Sequence, residues 1–503
     1  MTTALAGVVM VVGSLLRIRQ LLVSRSLWVD EALLARNIVE RDFGGLLEPL
    51  DGGQGAPVGY LWLVRSLVVA FDASEQWMRL PSLLAGILLL PVTWALARRV
   101  LTAPGALAAV TLVALSPGLI RYSVELKQYA LDALLAVALV LGALVVEERR
   151  SGRALVGLAA AGVVAVWLSH AAVLVLAGVG AYLLLRAVAA RDAAHIRTVL
   201  LTGVVWATTL AILYLVSLRQ LTENDFLTSY WQAGFPDDPL RPDRLLRWLW
   251  VSTADLLGTV GGLSLPHVGV GAVVLAAALA LARGRGWHVA LLLAFLPGLV
   301  LAASLQQYPF RGRLALFVVP FALVLLGSLV EQPSRARTAA AVALLGLLAA
   351  GPVGTVVEEA VHPTLFPESR PVVEHVARGY EPGQGILVHR LAVAPFEFYG
   401  GQRSLEATGI TRWRSTARCA AEPPEPLATG EAWVVFAYTH SASPPDEAQI
   451  LLSQLDAMGR RLDLLERHDA FAALYDFDAP PTDPDASDRR TTPSTACLFT
   501  RSG

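Results

Sequence analysis

Two carboxylates stand side by side in Ser26-Leu27-Trp28-Val29-Asp30-Glu31-Ala32, directly after a long apolar run. A carboxylate at a membrane surface, partly withdrawn from water, gains proton affinity and can act as a general base on an acceptor hydroxyl. The same position also suits a helix start. There Asp30 would cap by accepting an orphan N–H, and Glu31 would favour the positive end of the dipole. The two roles are compatible. An adjacent carboxylate pair is also a ligand set for Mg²⁺ or Mn²⁺.

Four other stretches carry reactive side chains. Gln54-Gly55-Ala56-Pro57-Val58-Gly59-Tyr60 reads as a turn leading into a helix with proline at its first position. In Arg121-Tyr122-Ser123-Val124-Glu125-Leu126-Lys127-Gln128-Tyr129, a helical reading puts Glu125 and Tyr129 on one face. Ionisable groups at membrane depth are paired, as Glu125 with Lys127 would be, or functional. Tyr308-Pro309-Phe310-Arg311-Gly312-Arg313 sets two guanidinium groups around a glycine. Such groups grip a phosphate bidentately or snorkel to lipid headgroups. His170, at another helix end, is read as a capping or interfacial histidine and as a candidate substrate contact.

The elements that position these residues are apolar helices. The chain has 503 residues, 55% hydrophobic and 16% charged, with mean hydropathy +0.56. Soluble domains carry roughly 25% charged residues, so a polar shell is excluded. A formal net charge of -1 gives no nucleic-acid footprint. A span needs about 20 apolar residues. Eleven segments qualify: 3–23, 79–97, 104–120, 130–146, 154–170, 171–187, 198–217, 266–283, 288–305, 314–330 and 338–357. Arginines at 98–99, 149–153, 186–197, 283–285 and 335–337 mark one side as cytoplasmic. That assignment requires 57–71, short and led by Pro57, to be a membrane-embedded helix that does not cross.

The expected architecture is therefore mainly α. It is a polytopic membrane bundle, residues 1–357, with outer loops 24–56 and 218–265, followed by a small extracytoplasmic α/β domain over 358–503. In that domain 386–388, 433–436 and 471–477 read as strands and 446–461 as a helix. The two cysteines, Cys419 and Cys497, both lie there. They fit a disulfide or two unrelated thiols, and the outward topology favours the disulfide.

The order LWVDEA, QGAPVGY, WMRLPSLLAG, SPGLIRYSVELKQY and YPFRGR resembles the GT-C superfamily of membrane glycosyltransferases. The likeness is to its bacterial protein-mannosyltransferase-like branch, which uses polyprenyl-phosphate sugars. It covers about 10–330 and is strongest over 26–130. The resemblance implies that Asp30 is the catalytic base, with Glu31 supporting it or helping to hold a metal. Glu125, Lys127 and Tyr129 match a Glu-x-Arg/Lys-x-Tyr pattern. Arg313, with Arg311, would neutralise the departing lipid phosphate, and Gln54, Tyr60 and His170 would join the substrate site. The implied partners are a polyprenyl-phosphate sugar, membrane lipids, and a cell-envelope glycan, lipid or protein acceptor, with no obligatory cofactor. The implied location is the bacterial cytoplasmic membrane, with the N-terminus inside and the C-terminal domain outside.

Two other classes fit less of the sequence. A transporter or flippase places its charges near the midplane of repeated halves, whereas these residues cluster at one surface. A non-catalytic scaffold binding glycan through its outer domain would need Asp30-Glu31 only for the helix start.

Overall fold

The computed structural model describes residues 1–23, 25–219, 229–361, 367–415, 429–437, 447–482 and 496–501. Helices occupy α1 (Thr2–Leu22), α2 (Val29–Glu40), α3 (Val58–Ala70), α4 (Glu75–Val100), α5 (Ala103–Ala114), α6 (Pro117–Arg121), α7 (Tyr129–Arg149) and α8 (Gly152–Leu168). They continue as α9 (Ala171–Ala189), α10 (Ala193–Leu213), α11 (Pro242–Asp255), α12 (Pro266–Ala282), α13 (Gly286–Leu292), α14 (Leu296–Ser304), α15 (Val319–Gly327) and α16 (Arg335–Val361).

Each of the eleven expected spans coincides with a helix or helix pair. Among the described residues, eight helices are long and apolar enough to cross a membrane. A ninth counts if α5 and the segment Pro117–Val124, bent by 59°, form one span. The other two, α8 and α12, are apolar but only 17 residues long. α3 has 13 residues, about 20 Å at 1.5 Å per residue, too short to cross.

The chain divides into two compact units, Met1–Val23 with Arg41–Pro363, and Ser24–Glu40 with Thr364–Gly503. In the first, burial separates central from peripheral spans. The apolar window of Gly312–Val330 is 89% buried and that of α7 67%, against 17% for α1 and 22% for α16. The peripheral helices leave Val8, Val11, Leu15, Val342 and Val357 exposed, as a lipid-facing surface requires. The two ends of this bundle differ in chemistry. At one end Arg99 donates to Glu148, Arg186 pairs with Glu147, Arg285 pairs with Glu331 and Arg283 donates to Gln332. These contacts tie together the loops that carry the arginine series. The loops around Gln54, Lys127, Ser169 and Tyr308 belong to the opposite end, because α4, α7 and α9 start there and α8 finishes there.

The second unit adds α17 (Ser369–Gly379), α18 (Val393–Gly401) and α19 (Glu447–Asp456) to strands β1 (Gly385–His389), β2 (Gly409–Ser415), β3 (Glu431–Ala437), β4 (Arg460–Arg467), β5 (Ala470–Asp476) and β6 (Ala496–Arg501). The sheet order is β4-β5-β3-β1-β2-β6. β1 runs parallel to both its neighbours and the remaining pairs are antiparallel. Val434, Phe436, Leu455, Phe471 and Tyr475 form its core. The helix expected over 446–461 ends at Asp456 instead. The Gly459 N–H bonds the Leu455 carbonyl at 3.1 Å and closes it, after which β4 begins. Cys497 lies on β6, and Cys419, its expected disulfide partner, lies outside the described residues.

The described residues 25–40 belong to this unit. The Leu27 N–H donates to the Tyr399 hydroxyl at 2.8 Å, the Arg370 N–H to Ser26 Oγ at 3.1 Å, and Arg36 pairs with Glu397. Hydrophobic patterning alone does not reveal such polar tethers, so the loop read as 24–56 divides at about residue 40.

Burial lowers the His389 imidazole to about 4, only partly offset by its hydrogen bond to the Ala437 backbone. The unfolded group titrates near 6.5. Below that pH the unfolded chain takes up a proton that the folded unit refuses, so stability is full above about 6.5 and falls toward pH 4. We expect amide exchange in peptides of β1 and β3 to accelerate over that window by an amount equivalent to roughly 3 kcal/mol at most. His389→Phe should flatten the dependence; equal pH slopes in both proteins would contradict the assignment.

Candidate functional site

The loop 121–129 owes its shape to a broken span. α5 stops at Ala114 and Pro117 opens α6, since a proline lacks the N–H that would continue the helix. A 3₁₀ turn over Tyr122–Val124 follows, and the backbone is extended at Glu125 (φ −106°, ψ 144°). Glu125 is therefore off the helix, and the expectation that it shares a helical face with Tyr129 is overturned. The Lys127 N–H instead reaches the Glu125 carbonyl at 2.8 Å, an i to i+2 turn.

The side chains around this loop are held by specific partners. The buried Glu125 carboxylate accepts from Arg121 Nε at 2.9 Å. Lys127 is buried and its ammonium donates to Gln54 Oε1 at 2.6 Å. Ser82 Oγ donates to the Lys127 carbonyl at 2.7 Å and lies 3.3 Å from the Tyr60 hydroxyl. Gln54, Tyr60, Ser82 and Lys127 thus form one network joining the turn before α3 to the loop before α7. Gly86 seats the loop on α4, because a Cβ there would lie 2.3 Å from Ser123 Cβ.

Arg313 enters from the other side. Gly312 has φ +51°, favoured by glycine, and the turn sends its two neighbours into different surroundings. Arg311 is exposed, whereas Arg313 is half-buried. The Arg313 guanidinium lies 5.6 Å from the Tyr129 ring centre and 5.7 Å from that of Trp231. Cation–π contacts of this kind hold a guanidinium while leaving its N–H donors in their own plane. Tyr129 meets Tyr122 edge-on at 5.6 Å, and Arg121 lies 5.6 Å from the Tyr122 ring. The segment itself is pinned by the Phe310 N–H to the Gly234 carbonyl at 2.9 Å and by the Tyr308 hydroxyl to the Leu314 carbonyl at 2.8 Å. Among the described residues, Arg121, Lys127, Arg313 and the Glu125 carboxylate therefore gather around this loop.

A groove of about 480 Å³ lies beside that segment. Leu249, Trp250, Val273, Phe295, Phe310 and Phe321 are among its walls, which come from α11, α12, α15 and the start of α14. Leu246, Trp250, Val274 and Leu281 also line it and are exposed, so the groove opens on the apolar flank of the bundle. Phe310 and Val318 bracket Arg311 and Arg313 in sequence, so the cationic turn stands at the groove wall.

Asp30 and Glu31 lie in the first turn of α2, in the second unit. The capping role expected of Asp30 falls to Glu31, whose buried carboxylate accepts from the Trp28 N–H at 3.4 Å, half of a capping box. Asp30 is half-buried. Among the described residues no three His, Cys, Asp or Glu side chains gather as a metal site. His170 is the N-cap residue of α9 but makes no side-chain cap bond. Ser169 Oγ takes that role, accepting from the Ala172 N–H at 3.1 Å.

A family model for dolichyl-phosphate-mannose-protein mannosyltransferases matches residues 55–218, the stretch containing Tyr60, Glu125, Lys127, Tyr129 and His170. No curated protein sequence matches the chain. Similar folds occur in the apo oligosaccharyltransferase of Archaeoglobus fulgidus, with TM-score 0.52 and 13% identity over 78% of this chain. ArnT from Cupriavidus metallidurans, solved bound to undecaprenyl phosphate, aligns with TM-score 0.51 and 14% identity over 94% of this chain and 97% of its own. The chain has a GT-C-like membrane fold. It spans 63% of the oligosaccharyltransferase's length.

Within this bundle, sequence reasoning missed Arg121, Ser82 and Trp231 as site residues. Arg121 was findable from its i, i+4 spacing to Glu125. Ser82 and Trp231 carry no local signal, because each is brought in by tertiary packing. Gln54→Ala should remove one acceptor from the buried Lys127 ammonium and destabilise the bundle by about 1.5–3 kcal/mol. Thermal unfolding of the full-length protein in detergent measures this. An unchanged midpoint would show that the bond contributes nothing.

Proposed function

We propose that the protein is an inverting glycosyltransferase moving a sugar from a polyprenyl-phosphate donor to an extracytoplasmic acceptor hydroxyl. The observation that carries the reading is the juxtaposition of Arg313, cradled by Tyr129 and Trp231, with an apolar groove opening on the flank of a GT-C bundle. A polyprenyl phosphate has these two parts, an anionic head and a long apolar tail. Undecaprenyl phosphate bound to the structurally similar ArnT supports the donor class. The loop end carrying this site is the extracytoplasmic one under the arginine topology, in a bacterial cytoplasmic membrane.

The chemistry follows from the residues. Asp30 takes the proton of the acceptor hydroxyl, and that oxygen forms a bond to the anomeric carbon. The bond from that carbon to the phosphate oxygen breaks with its electron pair, releasing polyprenyl phosphate. Arg313, with Arg121 nearby, stabilises the charge that grows on the departing phosphate. Attack opposite the phosphate inverts the anomeric centre. Glu31 holds the helix start that orients Asp30, while Gln54 and Lys127 keep the loop and the turn before α3 in register. Tyr60, Tyr129 and His170 line the substrate side, and Arg311 meets lipid or phosphate at the surface. The outer domain, including a Cys419–Cys497 disulfide, serves the acceptor.

Asp30→Asn should lower the transfer rate by about 10²–10⁴-fold, the usual contribution of a general base, with donor affinity retained. Arg313→Ala should instead weaken donor binding roughly 10–100-fold, as loss of charge-assisted hydrogen bonds does. Transfer assays on inserted, folded variants decide: wild-type turnover in Asp30→Asn would remove the base assignment.

A further inference from the structure

α1 is a peripheral helix, yet it carries a guanidinium that is completely buried: Arg17 is 0% exposed. Its buried residues, Ala6, Gly13, Arg17 and Gln20, form a narrow stripe on one face. Gly13 lets that face approach α5 closely, since a Cβ there would lie 2.9 Å from Ala114 Cβ and 3.0 Å from Leu90 Cδ1. The approach delivers Arg17 to the break in the third span. Its terminal nitrogens donate to the Val113 carbonyl and the Ala114 carbonyl, each at 3.3 Å, and to the Gly13 carbonyl of its own helix at 2.8 Å.

The acceptors identify what Arg17 does. In an unbroken helix the Val113 carbonyl would be bonded by the N–H of residue 117. Residue 117 is proline and has none. The Ala114 carbonyl is likewise at the end of α5, where helical donors stop. In hydrocarbon no water replaces them, so a broken span persists only where a neighbour supplies the missing donors. Arg17 supplies both. Downstream of the break, Ser116 Oγ donates to the Gly261 carbonyl at 3.3 Å, and Ser123 rests against Gly86, whose added Cβ would also lie 3.4 Å from Arg17 Cδ. The guanidinium therefore sits beneath the turn that runs on to Arg121, Glu125 and Lys127.

We propose that Arg17 is a positioning residue for the donor-phosphate site. It clamps the proline break so that loop 121–129 is held in its binding shape, an inference that rests on the donor reading above. Arginine suits the task because one planar group reaches two carbonyls on successive residues. A lysine at that depth would offer a single point of donation and should satisfy them only in part.

The test compares wild type, Arg17→Met and Arg17→Lys in full-length protein in detergent. Two readouts are used, amide exchange along the chain and binding of undecaprenyl phosphate without any acceptor. Arg17→Met should accelerate exchange in peptides covering 113–129 while the other spans keep wild-type protection. It should also raise the half-saturating lipid concentration roughly tenfold or more, as small misplacements of binding groups do, with Arg17→Lys intermediate in both. Wild-type exchange over 113–129, or acceleration spread evenly over every span, overturns the clamp. Local acceleration with unchanged lipid affinity overturns its role in the donor site. If wild-type protein itself binds no undecaprenyl phosphate, the donor reading fails, and the exchange pattern still decides whether Arg17 holds the break.

Discussion

A chain that crosses a bilayer has no water with which to satisfy a backbone N–H or carbonyl, so every interruption of a spanning helix must be answered from within the protein. The interruption between Ala114 and Pro117 is the one on which this architecture turns. It converts what would be one straight crossing into two segments bent by 59°. The bend takes the chain sideways at the loop end, where it can run as a 3₁₀ turn and then an irregular stretch before α7. A straight helix would have carried Glu125 and Lys127 onward along one axis. The break lets Glu125 fold back on Arg121 and lets Lys127 reach Gln54, with close packing at Gly86 and donors from Arg17 holding the result.

As a donor site of the proposed kind, this loop combines opposed physical demands. A lipid phosphate needs fixed cations in a partly desolvated setting, where electrostatic stabilisation of a leaving group is strongest. Cations in such a setting need partners that restrain them without neutralising them. Aromatic rings restrain Arg313, since Tyr129 and Trp231 both lie against its guanidinium. Arg121 is restrained by a carboxylate that accepts from it. The apolar groove beside Phe310 completes the arrangement by placing hydrocarbon within reach of the charged turn.

Much of the membrane part was legible in the sequence because span length and hydropathy are one-dimensional properties. All eleven expected crossings coincide with helices, and Pro57 marked a helix too short to cross. The break within 104–120 was less visible, since Ser116-Pro117 interrupts the hydrogen-bond ladder without interrupting the apolar run. For the same reason Glu125 was placed on a helix that does not reach it. Capping by Glu31 rather than Asp30 depends on where the first helical residue falls, a boundary that shifts by one or two positions from composition alone. In the C-terminal domain the apolar strands β1, β3 and β5 were readable. β2, β4 and β6 were not; in β4, for example, Arg460-Arg461-Leu462-Asp463 carries charges where a buried strand would not. The attachment of 24–40 to that domain rests on the Tyr399 hydroxyl, the Ser26 hydroxyl and the Arg36–Glu397 pair, contacts hundreds of residues apart.

The central claim is that a sugar on a polyprenyl monophosphate is the substrate. Purified full-length protein, incubated with a panel of polyprenyl-phosphate sugars and followed by mass spectrometry, tests it most directly. The account predicts that at least one donor is consumed and that free polyprenyl phosphate appears in equal amount. A folded, lipid-reconstituted protein, supplied with cell-envelope acceptors, that leaves every donor in the panel intact would contradict it.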